Sequence, residues 1–324
     1  METQVVIIGG GLMGTAIARE LSRYKVDVVL VEKHCDVSFG ATKASHGMIY
    51  SGLSFLVSML LKAEALEASP EEEIEKSDII FEGFERWNPI FHELEVNHLH
   101  AGAMVIATDE ESLERLRMMQ ELAKLKPEWP IEVLDRDGVL EKEPNVHPDT
   151  LAGLYEDGHL LLQYPWEVVI ALADNARANG VSFMLDTEVK GFSRGNGRQV
   201  VETSRGPVKT DFIVNATGPW AADVAKMADA CNFELKYFRG DGLITDKRCG
   251  RFIRSFVMDP PTPGISKGTQ PTFNGNLRLG TVYAPVEDKN ERATDREGID
   301  IILERARSVI PKISEKHIIA CYSG

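Results

Sequence analysis

The start of the chain places a segment with helical periodicity between two apolar runs. Residues 5–8 are an unbroken branched aliphatic run, and residues 26–31 form a second one. Such runs are typical of strands that are buried on both faces of a parallel sheet. The pattern therefore predicts a strand, a helix and a second strand. The apolar face of the helix is Leu12, Ala16, Ile17 and Leu21.

Helix-start signals divide the rest of the chain. The runs 69–72 and 108–111 read as capping sequences, so we expect helices after each. The first helix would carry Ile74, Phe81, Phe84 and Trp87, and the second Leu113, Leu116 and Leu122. Pro165 opens a third helix, which Asn179-Gly180 ends. We expect strands at 103–107, 151–163, 181–185, 187–189 and 212–214, and a hairpin tip at 195–197.

Composition and charge narrow the function classes. The 324 residues predict about two domains, and the net charge of −14 argues against a nucleic-acid partner. The four cysteines are scattered, and no cluster has metal-ligand spacing, so we predict no metal site. No basic region or cleavage site precedes the first apolar run. The predicted location is cytoplasmic.

The turn between the first strand and the helix carries a glycine motif. Gly9, Gly11 and Gly14 have the Gly-x-Gly-x-x-Gly spacing, which lets a pyrophosphate approach the backbone at a helix N-terminus. Glu32 ends the second strand about 20 residues later, where a ribose-binding carboxylate belongs. These features predict a dinucleotide site for NAD or FAD rather than NADP. The alternative is a glycine turn that serves packing only.

Two further segments suit a bound cofactor. Residues 39–52 are small and hydroxylated, and Thr42, Lys43 and Ser45 supply hydrogen-bond donors, although a flexible surface loop is the alternative. Residues 211–221 read as a buried strand that ends in Ala-Thr-Gly, with Pro219 in the first turn of a helix. An ordinary strand-to-helix turn is the alternative there.

Together these motifs resemble the FAD-dependent D-amino-acid oxidase superfamily. The likeness is to the branch that contains flavin-dependent glycerol-3-phosphate and L-2-hydroxyglutarate dehydrogenases. It implies FAD as cofactor, and it implies that the residue matching Val189 holds the adenine edge through its backbone. The implied cofactor-binding residues are Gly9, Gly11, Met13, Gly14, Glu32, Lys33, Thr42, Lys43, Ala44, Ser45, Gly47, Val189, Ala216, Thr217, Gly218 and Trp220.

The catalytic candidates follow from the same resemblance. The family often carries a histidine three residues after the loop glycine, where this chain has Tyr50, and the nearby histidine is His46. We expect His46 and Tyr50 to be the nearest proton acceptors. Arg239 is a candidate anion contact on a strand near the flavin, and a solvated surface arginine is the alternative.

The expected fold class is α/β, with a Rossmann-like FAD-binding domain and an inserted antiparallel α+β substrate domain. We assign 1–86 and 150–230 to the FAD-binding domain, with 315–324 as its last strand. The substrate domain takes 87–149 and 231–314. In the resembled family the last strand continues into an arginine and a third glycine-rich segment. We therefore expect a further C-terminal segment or a partner subunit to complete the site, and loss of tight flavin binding is the alternative.

The predicted function is oxidation of a small hydroxy acid or polyol phosphate, such as glycerol 3-phosphate or 2-hydroxyglutarate, with hydride transfer to FAD. Oxidation of amino acids or amines is the alternative, and a non-catalytic nucleotide-binding subunit is a third. The electron acceptor is left open between quinone and oxygen. Residues 47–61 carry no charge, so we expect a buried or interfacial segment, with peripheral membrane contact as one interpretation.

Overall fold

A computed structural model describes residues 1–66, 74, 77–162, 164–195, 197–261 and 268–324; at 61–66 and 159–162 it describes the backbone alone. The predicted α/β fold class is confirmed: a parallel sheet and a separate large, mainly antiparallel sheet make up the framework.

The parallel sheet holds the first motif. Its strands are β1 (Val5–Ile8), β2 (Val28–Val31), β7 (Ser182–Met184) and β11 (Phe212–Asn215), in the order β11-β1-β2-β7. β1 pairs in parallel with both β2 and β11, so it lies in the middle of the sheet with its side chains buried. This position explains why its sequence is an unbroken aliphatic run.

Two layers cover the parallel sheet. α1 (Leu12–Leu21) and α6 (Pro165–Ala178) lie together on one side, where Ala18 and Ala176 pack against Ile7 and Leu30. On the other side is a three-stranded antiparallel sheet of β8 (Val189–Gly195), β9 (Arg198–Thr203) and β10 (Val208–Thr210).

The large sheet forms the second part of the molecule, and strands from distant parts of the chain meet in it. Its order is β16-β12-β15-β14-β13-β4-β6-β3, and β5 pairs with β6. The β4–β13 pair is parallel, and the other pairs are antiparallel. The strands are β3 (Met48–Ile49), β4 (His98–Ala107), β5 (Ile131–Asp135), β6 (Ala152–Leu162), β12 (Tyr237–Thr245), β13 (Phe256–Met258), β14 (Gly268–Pro271), β15 (Leu277–Val286) and β16 (Ile318–Ser323).

Helices supply the remaining apolar contacts. α8 (Arg296–Val309) packs on the β12–β15 region through Ile302 and Leu303. α2 (Gly52–Leu66) and α4 (Glu110–Ala123) pack on β4 and β6. Within the described part of the chain, no helix is long and apolar enough to cross a bilayer. The other helices are α3 (Asp78–Glu93), α5 (Arg136–Lys142) and α7 (Ala221–Met227).

Several local expectations need correction. The fully buried face of α1 is Gly14, Thr15, Ala18 and Arg19, while the predicted apolar residues are only partly buried because they lie at its flanks. The cap of α4 is Asp109 rather than Thr108, and it forms its capping box with Ser112. The expected cap at 69–72 falls outside the described residues, and Phe81, Phe84 and Trp87 lie on α3.

Strand pairing also differs from the expected division into domains. We expected residues 315–324 to close the nucleotide domain, but β16 pairs with β12 of the large sheet. Likewise β3 and β6 fall in segments that we assigned to the nucleotide domain, but in the large sheet β3 pairs with β6, and β6 pairs with β4. The reason is that these strands find partners through antiparallel register, which no local pattern in the sequence specifies.

A buried carboxylate fixes the start of α2. Glu156 on β6 is 2% exposed, and its oxygens accept hydrogen bonds from Ser51 Oγ at 2.6 Å, Gly52 N at 3.1 Å and Leu53 N at 2.8 Å. It therefore satisfies donors that the first turn of a helix cannot pair internally. This contact anchors the residues that directly follow Tyr50.

We expect Glu156→Ala to destabilise the protein by about 3 kcal/mol, because it leaves buried donors unpaired. Denaturant unfolding of the variant and of Glu121→Ala provides the measurement. Glu121 is a suitable control because its carboxylate is 68% exposed and only pairs with Lys124 on the surface of α4. Equal stability of the two variants would contradict a capping role for Glu156.

A second buried carboxyl gives a pH-dependent prediction. Burial raises the pKa of Asp259 from 3.8 to about 7, although a hydrogen bond to its own backbone N–H and the charges of Arg305 and Arg115 oppose this rise. The folded state then keeps a proton that the unfolded state has lost, so this group's contribution to stability is complete below about pH 4 and declines as the pH rises through 7. Asp259→Asn should gain melting temperature relative to wild type between pH 5 and pH 8. A constant difference across that range would contradict the prediction.

Candidate active site

The two glycine-containing turns meet at the carboxyl ends of β1 and β11. Ile8 and Asn215 are paired residues, and the backbone N–H of Ala216 donates to the carbonyl of Ile8 at 2.9 Å. Gly9 has φ of +109°, and a Cβ there would lie 2.5 Å from the carbonyl oxygen of Ala216. Only glycine permits both this backbone conformation and this approach. The two motifs, about 200 residues apart in sequence, thus meet at one edge of the parallel sheet.

The three glycines of the first motif have different surroundings. A Cβ on Gly14 would lie 1.9 Å from the carbonyl oxygen of Gly9, so Gly14 lets α1 approach β1. A Cβ on Gly11 would have Thr42 Oγ1, at 3.7 Å, as its nearest neighbour among the described residues. Gly11 therefore faces open space, which is the expected position for a glycine beside a pyrophosphate.

A cavity of about 740 Å³ opens at this edge, between the end of the parallel sheet and the turn before α7. Its volume is in the range of small-molecule and cofactor sites. The first turn of α1 faces it, and helix N-termini favour anionic groups. The predicted residues that line it are Gly9, Gly11, Met13, Glu32, Lys33, Thr42, Val189, Ala216, Thr217, Gly218 and Trp220.

Glu32 is fixed at the rim of this cavity. One carboxylate oxygen accepts from Gly10 N at 2.6 Å and the other accepts from His34 N at 2.9 Å. Each oxygen retains a lone pair for a further donor, such as a ribose hydroxyl. On the same wall, Lys33 Nζ lies 3.6 Å from the centre of the Trp220 ring. These features fit the adenosine half of a dinucleotide.

The remaining predicted cofactor residues lie outside this cavity. Lys43 Nζ is 4.9 Å from the centre of the Phe39 ring, and Ser45 Oγ accepts from Gly47 N at 3.3 Å. Ala44 lies against Gly324, whose carbonyl accepts from Gly240 N of β12. The loop therefore leads from the cavity towards the large sheet. Sequence reasoning missed other lining residues, including His34, Thr187, Asn215 and Asp223, because they have no motif of their own.

The loop from Ala44 to Tyr50 ends at the large sheet, beside polar side chains of β14 and β15. His46 and Tyr50 stack with ring centres 5.7 Å apart, and the carbonyl of His46 accepts from Gln270 Nε2 at 2.8 Å. Gln270 and Arg278 are paired residues on β14 and β15, so their side chains share one face. The Arg278 guanidinium donates to the hydroxyl of Tyr322. We call these five side chains the polar face.

Hydrogen bonding and burial give the two proton-acceptor candidates different roles. The Met48 N–H donates to His46 Nδ1 at 3.0 Å, so a neutral imidazole carries its proton on Nε2. Burial raises the pKa of Tyr50 above its ordinary value of 10, and Tyr283 adds to that effect, while Ser58 and Arg278 oppose it. Tyr50 is therefore a neutral phenol near pH 7. His46 can accept a proton at Nδ1 if it gives up the bond to Met48.

Arg239 lies in a different environment from the predicted one. It is 8% exposed, and its guanidinium is bound to Asp241 at 3.0 Å and to Asp295. Asp295 in turn caps α8 by accepting from Gly298 N at 2.7 Å. The arginine is thus neither a solvated surface residue nor one of the residues that line the cavity, and two carboxylates already compensate its charge. Its role as an anion contact stays a prediction.

The contrast between Gly11 and Gly14 gives a matched pair of variants. Gly11→Ala should fold normally, because its φ of −82° and the open space accept a methyl group, but it should weaken FAD binding by at least tenfold. Gly14→Ala should instead lower thermal stability, because its methyl group would overlap the Gly9 carbonyl. Calorimetric titration with FAD and thermal unfolding test the pair. Unchanged FAD affinity in Gly11→Ala would mean that the glycine serves packing only.

Comparison with known proteins agrees with this arrangement. The family model described as FAD dependent oxidoreductase matches residues 4–324. The chain is 29% identical over 322 residues to the glycerol 3-phosphate dehydrogenase of Caloramator mitchellensis, covering 99% of this chain and 64% of that protein. It is 27% identical over 334 residues to the glycerol 3-phosphate oxidase of Mycoplasma pneumoniae, covering 100% of this chain and 83% of that protein.

A solved structure shows similarity to the same kind of protein. The dithionite-reduced L-alpha-glycerophosphate oxidase of Mycoplasma pneumoniae, with FAD bound, superposes with a TM-score of 0.83 at 25% identity, covering 100% of this chain and 83% of that one. The predicted resemblance and the predicted cofactor are therefore confirmed. The chain belongs to the DAO family of FAD-dependent oxidoreductases.

Proposed function

We propose that this protein oxidises a small anionic hydroxy compound, of which glycerol 3-phosphate is the leading candidate and 2-hydroxyglutarate the second. The observation that carries the proposal is the similarity to a glycerol 3-phosphate dehydrogenase along 99% of the chain. The polar face supports it, since it offers hydrogen-bond donors and an arginine to a polar, negatively charged molecule.

The cavity residues would hold FAD in this proposal. Gly11 and Thr42 at the N-terminus of α1 would take the pyrophosphate, and Glu32 would accept from a ribose hydroxyl. Val189 and Trp220 would lie beside the adenosine half. When bound, FAD supplies the acceptor for the hydride that leaves the substrate carbon.

The loop from Ala44 to Tyr50 would carry the site from the cavity to the polar face. Tyr50 would donate its phenolic hydrogen to substrate oxygen, because burial keeps the group protonated. His46 would take the hydroxyl proton at Nδ1 and release the bond to Met48. Gln270 holds the backbone of His46 in place through its Nε2.

A panel of electron donors tests the proposed substrate class. The FAD-loaded protein is mixed without oxygen with glycerol 3-phosphate, 2-hydroxyglutarate, glycerol, glycine or proline, and loss of flavin absorbance is followed over time. We expect the fastest loss with one of the two anionic hydroxy compounds, and a much slower loss with glycerol, because only the anions can pair with a cationic side chain.

Other outcomes of the panel would select a different function. Faster reduction by glycine or proline would replace the proposal with oxidation of amino acids. FAD binding without reduction by any donor would favour a non-catalytic nucleotide-binding subunit. A parallel titration with quinone and oxygen after reduction would identify the electron acceptor.

A further inference from the structure

Buried arginines in this fold fall into two kinds. Arg19 is 8% exposed and pairs with Glu93 at 2.8 Å, and Arg239 pairs with two aspartates. Arg278 is 6% exposed, yet its recorded partners are all neutral: the hydroxyl of Tyr322, the carbonyl of Gly280 at 3.1 Å and Thr281 Oγ1 at 2.7 Å. No carboxylate among the described residues lies within ion-pair distance of it.

An unpaired buried cation is costly unless a ligand compensates it. Folded proteins pair their buried charges, because removing an ion from water costs several kcal/mol. A guanidinium has five N–H donors, and the three bonds above leave two of them for another acceptor. The environment of Arg278 is therefore suited to an anion that can accept paired hydrogen bonds.

The position of Arg278 on β15 places it on the side of the sheet that faces the loop. Its neighbours Leu277 and Leu279 belong to the core under α8, so Arg278 projects from the opposite face. Gln270 is its cross-strand partner, and the Arg278 charge acts on the pKa of Tyr50. The guanidinium is thus part of the polar face and lies close to Tyr50.

Gln270 adds a second observation that points to a ligand. It is 4% exposed, its Nε2 donates to the carbonyl of His46, and its Oε1 has no hydrogen-bond partner among the described residues. A buried acceptor without a donor costs about 1–3 kcal/mol. A substrate hydroxyl would supply that donor beside the arginine.

We propose that Arg278 binds the anionic group of the substrate, phosphate or carboxylate, and that Gln270 Oε1 accepts from an adjacent hydroxyl. This proposal rests on the proposed function for the identity of the substrate. It assigns the preference for anionic over neutral substrates to Arg278. Arg239 instead connects β12 to the start of α8 through its two ion pairs.

Tyr322 acts as a positioning residue for Arg278. Its hydroxyl accepts from Nε, which orients the guanidinium plane and leaves the outer nitrogens towards the ligand. Gly242, the residue paired with Tyr322, makes room for the ring, because a Cβ at position 242 would lie 2.9 Å from the ring atom Cζ of Tyr322. Tyr322→Phe should keep the charge and lose only the orientation, so its effect should be smaller than that of removing Arg278.

The test compares anionic with neutral ligands in Arg278→Gln, Arg278→Lys and the FAD-loaded wild type. For glycerol 3-phosphate, Arg278→Gln should raise KM by about 10- to 100-fold with a smaller change in kcat, and it should lower kcat/KM for glycerol 3-phosphate much more than for glycerol. Arg278→Lys should recover part of the affinity, because it keeps the charge but loses the paired geometry. The control is Arg248→Gln, which removes an 80% exposed cation and should change neither value.

A binding measurement separates this inference from the proposed function. Calorimetric titration with inorganic phosphate and with acetate reports anion binding whether or not glycerol 3-phosphate is turned over. Weaker anion binding in Arg278→Gln than in wild type supports the inference even if the substrate is another anion. Equal binding in both proteins, or no anion binding by wild type, would overturn it. If neither Arg278 variant folds, as judged by thermal unfolding and flavin content, the arginine is structural and the inference is wrong.

Discussion

The close approach of two backbone turns at the ends of β1 and β11 is the constraint on which the site depends. Gly9 lies against the Ala216 carbonyl, and Gly14 lies against the Gly9 carbonyl, so strand, helix and second turn meet with no side chain between them. Any Cβ at these two glycines would separate the elements. The cavity exists because this contact leaves Gly11, the neighbouring residue of the same turn, facing open space.

The large sheet performs a different task on each face. Under α8 its side chains are aliphatic and fully buried, and they hold the strands in register. The opposite face carries Gln270, Arg278 and Tyr322: Arg278 donates to Tyr322 of another strand, and Gln270 donates to the carbonyl of His46 in the loop. Rigid strands position these polar groups more accurately than a free loop would. The loop from Ala44 to Tyr50 leads from the nucleotide cavity to this face, so in the proposed function the cofactor and the substrate would bind next to each other.

Much of the nucleotide-binding half could be predicted because its signals are local. The aliphatic run 5–8, the glycine spacing and the acid at position 32 lie within one strand–helix–strand unit, and the structure places them as expected. The polar face could not be predicted in this way. Arg278 stands between two leucines, a pattern that normally indicates a solvent-facing strand residue. Arg239 was the candidate that the sequence offered, but in the fold it pairs with Asp241, two residues away, and with Asp295, 56 residues away.

The sequence by itself determined the fold class, a dinucleotide site for NAD or FAD and the first glycine turn, because each depends on short-range periodicity or on backbone freedom at single residues. The choice of FAD came from the family resemblance. Only the tertiary structure decided which arginine has its charge compensated, which sheet receives the last strand, and which ring nitrogen of His46 accepts a hydrogen bond. Those properties depend on neighbours that strand pairing brings together, such as Asp295 for Arg239, β12 for β16 and Met48 for His46. Burial and pairing are properties of the assembled fold, so no single segment of the chain contains them.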